Sequence, residues 1–188
     1  MARPKSEDKR SAILAAAMRV IVSQGLSAPT AVIAKEAGVA NGTLFTYFET
    51  KTDLLNELYL DLKRGMAVAA LKGFVPDGES RRQYFLVWSN WMWWAVAHPK
   101  KRRALAVLGV SDEITAKSRG AGQKAMAPMR GLLERVHSNG AMRDASMGLF
   151  MSMMNSVAEA TMDYMVLDKA HADKHCRAGF EAVWRMIG

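Results

Sequence analysis

The stretch Pro29-Thr30-Ala31-Val32-Ile33-Ala34-Lys35-Glu36-Ala37-Gly38-Val39-Ala40-Asn41-Gly42-Thr43-Leu44-Phe45-Thr46-Tyr47-Phe48 holds two short helical patterns around one turn. In the first pattern Ile33, Ala34 and Ala37 share a face, and Gly38 stops it as the residue that tolerates a left-handed C-cap. Pro29 suits a first turn, where its missing N–H costs nothing. In the second pattern Leu44 and Phe48 stand four apart and face the same way. Two short helices joined by a Gly-Val turn follow the helix-turn-helix plan, whose second helix enters the major groove. The outward positions left on that helix are Asn41, Thr43, Thr46 and Tyr47, short neutral groups suited to base edges: Asn pairs with adenine, and a Thr methyl meets a thymine methyl. Lys51 opens the next helix, where a cation and helix amides hold a phosphate. Periodicity alone leaves a second reading open, an ordinary helical hairpin with a polar face.

The run Ile33 to Lys51 resembles the DNA-binding signature of the tetracycline-repressor (TetR) family, in which an Ile-Ala…Ala-Gly-Val helix precedes Gly-Thr-Leu-Tyr-x-Tyr-Phe and a Lys. Ile13-Leu14-x-Ala16-Ala17 and Gly25 fit the family's first helix. The resemblance implies that Asn41, Gly42, Thr43 and Thr46 lie against base edges or the adjoining backbone. It implies that Thr30, Tyr47 and Lys51 hold phosphates. Ala40 stands where the family usually has Ser, and Phe45 replaces a Tyr whose hydroxyl often reaches a phosphate. An N-terminal arm with Arg3, Lys5, Lys9 and Arg10 is expected to restore some of that contact electrostatically.

Outward from this stretch the signals stay helical, and no run alternates as a strand does. Helices are expected over 11–24, 29–37, 41–48, from just after Thr50 to Lys72, and over 80–97, 100–108, 120–137, 144–168 and 172–187. Thr50-Lys51-Thr52-Asp53 has the spacing of a capping box. The expected fold is all-α: a helix-turn-helix head over 1–50, a connecting helix over 51–72, and a ligand-binding and dimerisation domain over 73–188.

The chain has 188 residues, half of them apolar, with one cysteine. That composition is globular, and Cys176 alone excludes a disulfide framework or a multi-cysteine zinc ribbon. The lone cysteine also goes with a reduced, cytoplasmic setting, and the most apolar stretch, Tyr84 to Ala97, is too short to span a bilayer, so no membrane partner is expected. The net charge is +8, and residues 65–130 carry eleven Lys/Arg against four Asp/Glu, so the excess sits in the middle of the chain. The run Lys100-Lys101-Arg102-Arg103 opens a helix, where cations oppose the dipole, and by default it is a solvated face.

Residues 80–97 are apolar on nearly every side, the pattern of a central helix. Because a Trp N–H wants a partner, the tryptophans there are read as walls of a ligand cavity as well as core. Trp88, Trp91, Met92, Trp94, Met126, Met129 and Met151 are the candidate ligand residues. Half of the fourteen methionines fall between 142 and 165. Over 144–168 the stripe Met147, Met151, Met154, Ala158, Met162, Met165 lies beside a second one, Phe150, Met153, Val157, Ala160, Tyr164, Leu167. Two apolar faces imply two partners, the domain interior and a second subunit. The TetR resemblance places the subunit contact on the last two long helices, with Phe150, Val157, Tyr164, Phe180, Val183 and Trp184 as candidates. His171 and His175, four apart, share a helical face, but the third ligand of a metal site would have to come from Cys176 or elsewhere, and no metal is expected. No cofactor is expected either. No nucleophile-base pair, paired carboxylates or phosphate loop points to an enzyme.

The expected function is a homodimeric regulator of transcription that binds double-stranded DNA. It is read as a repressor released from a palindromic operator by an apolar small-molecule effector. The alternatives are a constitutive DNA-binding dimer without effector, or an all-α enzyme using the Trp/Met-rich cavity.

Overall fold

The computed structural model describes residues 6–187; the arm residues Arg3 and Lys5 lie outside them. Among the described residues the chain is helical, with no strand. The helices are α1 (Glu7–Gln24), α2 (Thr30–Glu36), α3 (Asn41–Tyr47), α4 (Lys51–Ala70), α5 (Ser80–Ala97), α6 (Pro99–Gly109), α7 (Ala116–Lys124), α8 (Arg130–Asn139), α9 (Met147–Leu167) and α10 (Ala172–Ile187). Most boundaries fall within a few residues of the sequence expectation. One expected helix, 120–137, is instead α7, a 3₁₀ turn over Ala127–Met129, and α8. Pro128 sits in that turn and supplies no N–H to carry a helix through.

The chain divides into two compact units. The first comprises the residues up to Arg64 together with Pro99–Lys124. Its core joins Ile13, Leu14, Ala17, Val20 and Ile21 of α1 to Ile33 and Ala34 of α2, Leu44 of α3 and Leu54, Leu55 and Leu58 of α4. Ala104 and Leu108 of α6 and Ile114 beyond it are buried in the same cluster. Asn56 of α4 fastens the α6–α7 connection: its amide donates to the Thr52 and Glu113 carbonyls at 2.8 Å each, and its oxygen accepts the Thr115 N–H at 2.9 Å. The Arg119 guanidinium donates to the Gly109 and Ser111 carbonyls at the end of α6. The helices from Pro99 to Lys124 therefore pack with the head, which sequence reading assigned to the larger domain. Contiguity along the chain gave no hint of it.

The second unit comprises Gly65–His98 and the chain from Ala125 onward. Tyr84, Val87, Trp88 and Met92 of α5 pack with Leu132 and Val136 of α8, Phe150, Met154, Ala158, Met162 and Met165 of α9, and Cys176, Phe180 and Val183 of α10, all buried. α9 and α10 approach closely at Gly179, where an added Cβ would fall 2.1 Å from the Thr161 hydroxyl oxygen. Glu79 caps α5 by accepting the Arg81 and Arg82 N–H groups, and Ser146 caps α9 by accepting that of Leu149.

A candidate nucleic-acid interface on the head

The turn between α2 and α3 is set by Gly38, whose φ of 68° is the left-handed conformation that glycine adopts without strain. The Val39 N–H returns to the Ala34 carbonyl at 3.0 Å and closes it. Leu44 and Phe48 are buried, so α3 is seated by one face, and its other face is free of packing. Asn41, Gly42 and Thr46 are exposed, and Thr43 is half-buried. At Gly42 an added Cβ would meet nothing within 4 Å and the backbone is ordinary helix, so nothing inside the chain requires glycine there. The Thr46 hydroxyl donates to the Thr43 carbonyl, which leaves its oxygen lone pairs as acceptors facing outward. Ala40 precedes α3 and gives no side-chain cap, the consequence of Ala in a position suited to Ser.

The flanks are more tightly held. Thr50 and Asp53 form the expected capping box: the Asp53 N–H donates to Thr50 Oγ1 at 3.0 Å, and the Thr50 N–H to Asp53 Oδ2 at 3.1 Å. Lys51 is thereby fixed in the first turn of α4, half-buried. The Tyr47 hydroxyl oxygen accepts the Ser6 N–H at 3.0 Å, which leaves its own proton available to donate. Thr30 is the first residue of α2 and half-buried. Of the arm cations within the described residues, Lys9 is exposed on α1. Arg10, expected in the arm as a cation for DNA, is engaged within the head: its guanidinium donates to Glu57 at 2.5 Å and lies 5.7 Å from the centre of the Phe48 ring. The positive charge also falls on this unit. Between Pro99 and Lys124 seven Lys/Arg stand against Asp112 and Glu113, whereas the second unit has little excess of either sign. Tyr59 and Lys63 sit beside α7, where burial raises the phenol pKa and lowers that of the amine.

The expected ligand residues lie in the second unit, and several are packed as core. Trp88 is 2% exposed and its indole N–H donates to the Cys176 carbonyl at 3.0 Å, so the polar group that suggested a cavity wall is satisfied internally. Met92, Trp94 and Met129 are buried; Trp91, Met126 and Met151 are half-buried. The Tyr84 hydroxyl donates to the Met154 thioether, and burial raises its pKa. A groove of about 420 Å³ runs along α9 and α10 instead, lined by Ser156, Val157, Ala160, Thr161, Tyr164, His175 and Ala178, and none of the seven expected residues borders it.

The dimer candidates divide. Phe150, Phe180 and Val183 are buried inside the unit and cannot present a surface to a partner, because they sit on the core side of α9 and α10. Val157 and Trp184 are half-buried, and Tyr164 is 60% exposed. Leu149, Met153, Val166 and Leu167 are exposed on α9; Met153 and Leu167 belong to the second stripe of the sequence, while Leu149 was missed because it begins the same face one residue before Phe150. The Asp168 carboxylate accepts from both His171 and His175 at 3.0 Å, and those hydrogen bonds hold its pKa below the usual value. Among the described residues no group of three or more His, Cys, Asp or Glu is placed to hold a metal ion. None of the helices there is long and apolar enough to cross a membrane.

Residues 13–58 match the model of the bacterial regulatory proteins, tetR family. A TetR family transcription regulator from Shewanella sp. PV-4 is 26% identical, with a TM-score of 0.80 over 94% of this chain and 96% of that one. A TetR family transcription regulator from Marinobacter aquaeolei VT8 is 20% identical, with a TM-score of 0.81 over 96% of each chain. The TetR-like transcriptional regulator LfrR from Mycobacterium smegmatis, in complex with proflavine, is 18% identical, with a TM-score of 0.67 over 94% of this chain and 95% of that one. The matched segment runs from the core of α1 through α2 and α3 into α4, the part of the head built around the turn at Gly38. The likeness in fold extends over nearly the whole chain. Residues 13–58 thus carry the match to the tetR family of bacterial regulatory proteins, and the likeness of nearly the whole chain to TetR family transcription regulators supports a DNA-binding transcriptional regulator.

Proposed function

We propose that the protein is a homodimeric repressor whose two heads read the half-sites of a near-palindromic operator, and that a small molecule held in its second unit releases it. The observation that carries the reading is the asymmetry of α3. Leu44 is fully buried, while Asn41, Gly42, Thr43 and Thr46 project polar or minimal groups that the rest of the head does not use. Groups of this kind on a free helix face suit base edges in a major groove. The exposed stripe on α9 supports a second copy as the partner of that unit. A dimer of such heads requires two half-sites spaced by the helical repeat of DNA.

An effector acts only by binding the DNA-free conformation more tightly than the bound one. The Met- and Trp-rich packing around α5 and α9 favours an apolar, planar ligand, because flexible thioethers repack around such shapes and indoles offer flat apolar faces. The Mycobacterium smegmatis neighbour likewise holds a small molecule, proflavine. A cytoplasmic location goes with DNA as the partner. A second reading, a constitutive dimer without effector, is favoured by the satisfied Trp88 N–H and the tight packing of Met92, Trp94 and Met129.

Selection from random duplexes at near-physiological salt tests the proposal. Recovery of an inverted repeat with two related half-sites supports it. Retention of unrelated sequences that salt removes alike would defeat it. The selected operator then reports release by planar apolar compounds, and no release across such a set favours the constitutive dimer.

A further inference from the structure

Arg10 is legible in the sequence as one more cation for DNA phosphates, yet the fold uses it internally. It lies in α1, donates through Nη2 to Glu57 Oε2 of α4 at 2.5 Å, and covers the Phe48 ring at 5.7 Å. Phe48 ends α3: its N–H donates to the Leu44 carbonyl at 3.0 Å, and both side chains are buried. One guanidinium thus touches the end of α3, the first turns of α4 and its own α1. The same corner holds the Ser6 N–H on the Tyr47 hydroxyl, and Arg10, Tyr47, Phe48, Glu49, Asp53 and Glu57 line a single notch there. A planar guanidinium can stack on a ring and pair with a carboxylate at once, whereas an ammonium is a point charge that does one or the other.

We propose that Arg10 is a positioning residue for base readout, holding the C-terminal end of α3 through Phe48 and Glu57, and that it makes no phosphate contact of its own. The inference rests on α3 being the element that reads bases. Hydrogen bonds to base edges are directional, so a small rotation of a seven-residue helix costs readout before it costs folding. A half-exposed ion pair adds little stability by itself, which separates this role from a structural one.

The test uses the full chain and the operator selected by it. If the unaltered protein selects no operator, the DNA reading falls and this inference falls with it. On a selected operator, Arg10→Ala is expected to weaken binding about fivefold, within the usual range of coupled neighbours. The slope of log affinity against log salt stays unchanged, and a repeated selection loses preference at the bases α3 reads. Arg10→Lys does not restore the preference. Glu57→Gln is expected to be less favourable to binding in the Arg10 protein than in the Arg10→Ala background. A phosphate contact gives the opposite set: the slope falls by about 0.9, the base profile persists, Arg10→Lys rescues, and Glu57→Gln frees Arg10 and tightens binding. A purely structural role gives parallel losses on every sequence, following the folded fraction in thermal unfolding. Either set overturns the inference. Should Arg10→Ala fail to fold, Arg10→Lys and Glu57→Gln, which keep volume, decide between the three.

Discussion

The Ser6 N–H donates to the Tyr47 hydroxyl oxygen at 3.0 Å, joining the residue before α1 to the last residue of α3 across 41 positions of chain. The bond fixes the phenol by its acceptor side and leaves its O–H pointing away from the protein donor. A residue so placed closes the head and keeps one donor free, which the proposed function assigns to a phosphate.

Tyr47→Phe removes the acceptor and the outward donor together. It is expected to cost about 0.5–1.5 kcal/mol of stability, the usual worth of one hydrogen bond. DNA binding weakens equally for all sequences, since a phosphate donor positions without specifying. Denaturant unfolding and binding to the selected operator and to a scrambled duplex check both parts; a changed base profile would contradict the assignment.

On the proposed reading, Asn41 reads a base and Lys51 holds a phosphate, and the two roles are separable. Asn41 is exposed at the start of α3, and Lys51 is held in the first turn of α4 by the Thr50–Asp53 box. Asn41→Ala is expected to relax preference at one base pair of each half-site, costing about 1–3 kcal/mol there. Lys51→Ala is expected to weaken all sequences alike and to lower the salt slope by about 0.9. An unchanged profile with Asn41→Ala would remove that residue from the readout.

Gly42 gives a prediction in which stability and function move apart. Its Cβ position is empty and its backbone is helical, so Gly42→Ala is expected to stabilise the head by up to about 0.5–1 kcal/mol. If the backbone there approaches DNA, the same methyl weakens operator binding. Thermal unfolding and a binding titration on one preparation read both; a stabilised head with unchanged affinity would show that α3 does not come close at that residue.

Asn56 tests the tie between α4 and the α6–α7 connection. It is buried, three of its hydrogen bonds go to backbone groups of Thr52, Glu113 and Thr115, and the Thr115 hydroxyl donates a further one to its side-chain oxygen at 3.2 Å. Asn56→Leu leaves the Glu113 carbonyl and the Thr115 N–H unpaired, and each such buried group costs about 1–3 kcal/mol. A large loss in the denaturation midpoint is expected, with faster hydrogen exchange at Thr115. Exchange that speeds up only in α1–α3 would argue against this tie.

How much of this was legible depended on distance along the chain. The turn at Gly38, the seats of Ile33, Ala34 and Leu44, and the Thr50–Asp53 box are encoded within a few residues, and each stands where local spacing puts it. The internal contacts of Arg10 and the packing of the helices from Pro99 to Lys124 were not legible because the partners, Glu57, Phe48 and Asn56, are far off in sequence, and no periodicity records them. Trp88 misled for a related reason: its N–H needs a partner, and the Cys176 carbonyl that provides it is 88 positions away. On α9 both stripes were visible, but the boundary between core and surface passes between Phe150 and Met153, a rotation that composition does not fix.

That boundary sets the last prediction. Leu167 is 80% exposed and Phe150 fully buried, although the sequence places them on one stripe. If the exposed face of α9 carries the second copy, a charge there opposes association without touching the fold. Leu167→Glu together with Met153→Glu is expected to give a monomer with an unfolding midpoint near that of the parent monomer, and with operator affinity lost through the missing second head. Phe150→Ala is expected to behave oppositely, losing about 3–5 kcal/mol through the cavity it leaves, while the protein that remains folded still associates. Analytical ultracentrifugation of the variants, read beside denaturant unfolding, distinguishes the two. A double variant that remains dimeric would move the subunit contact off this face of α9.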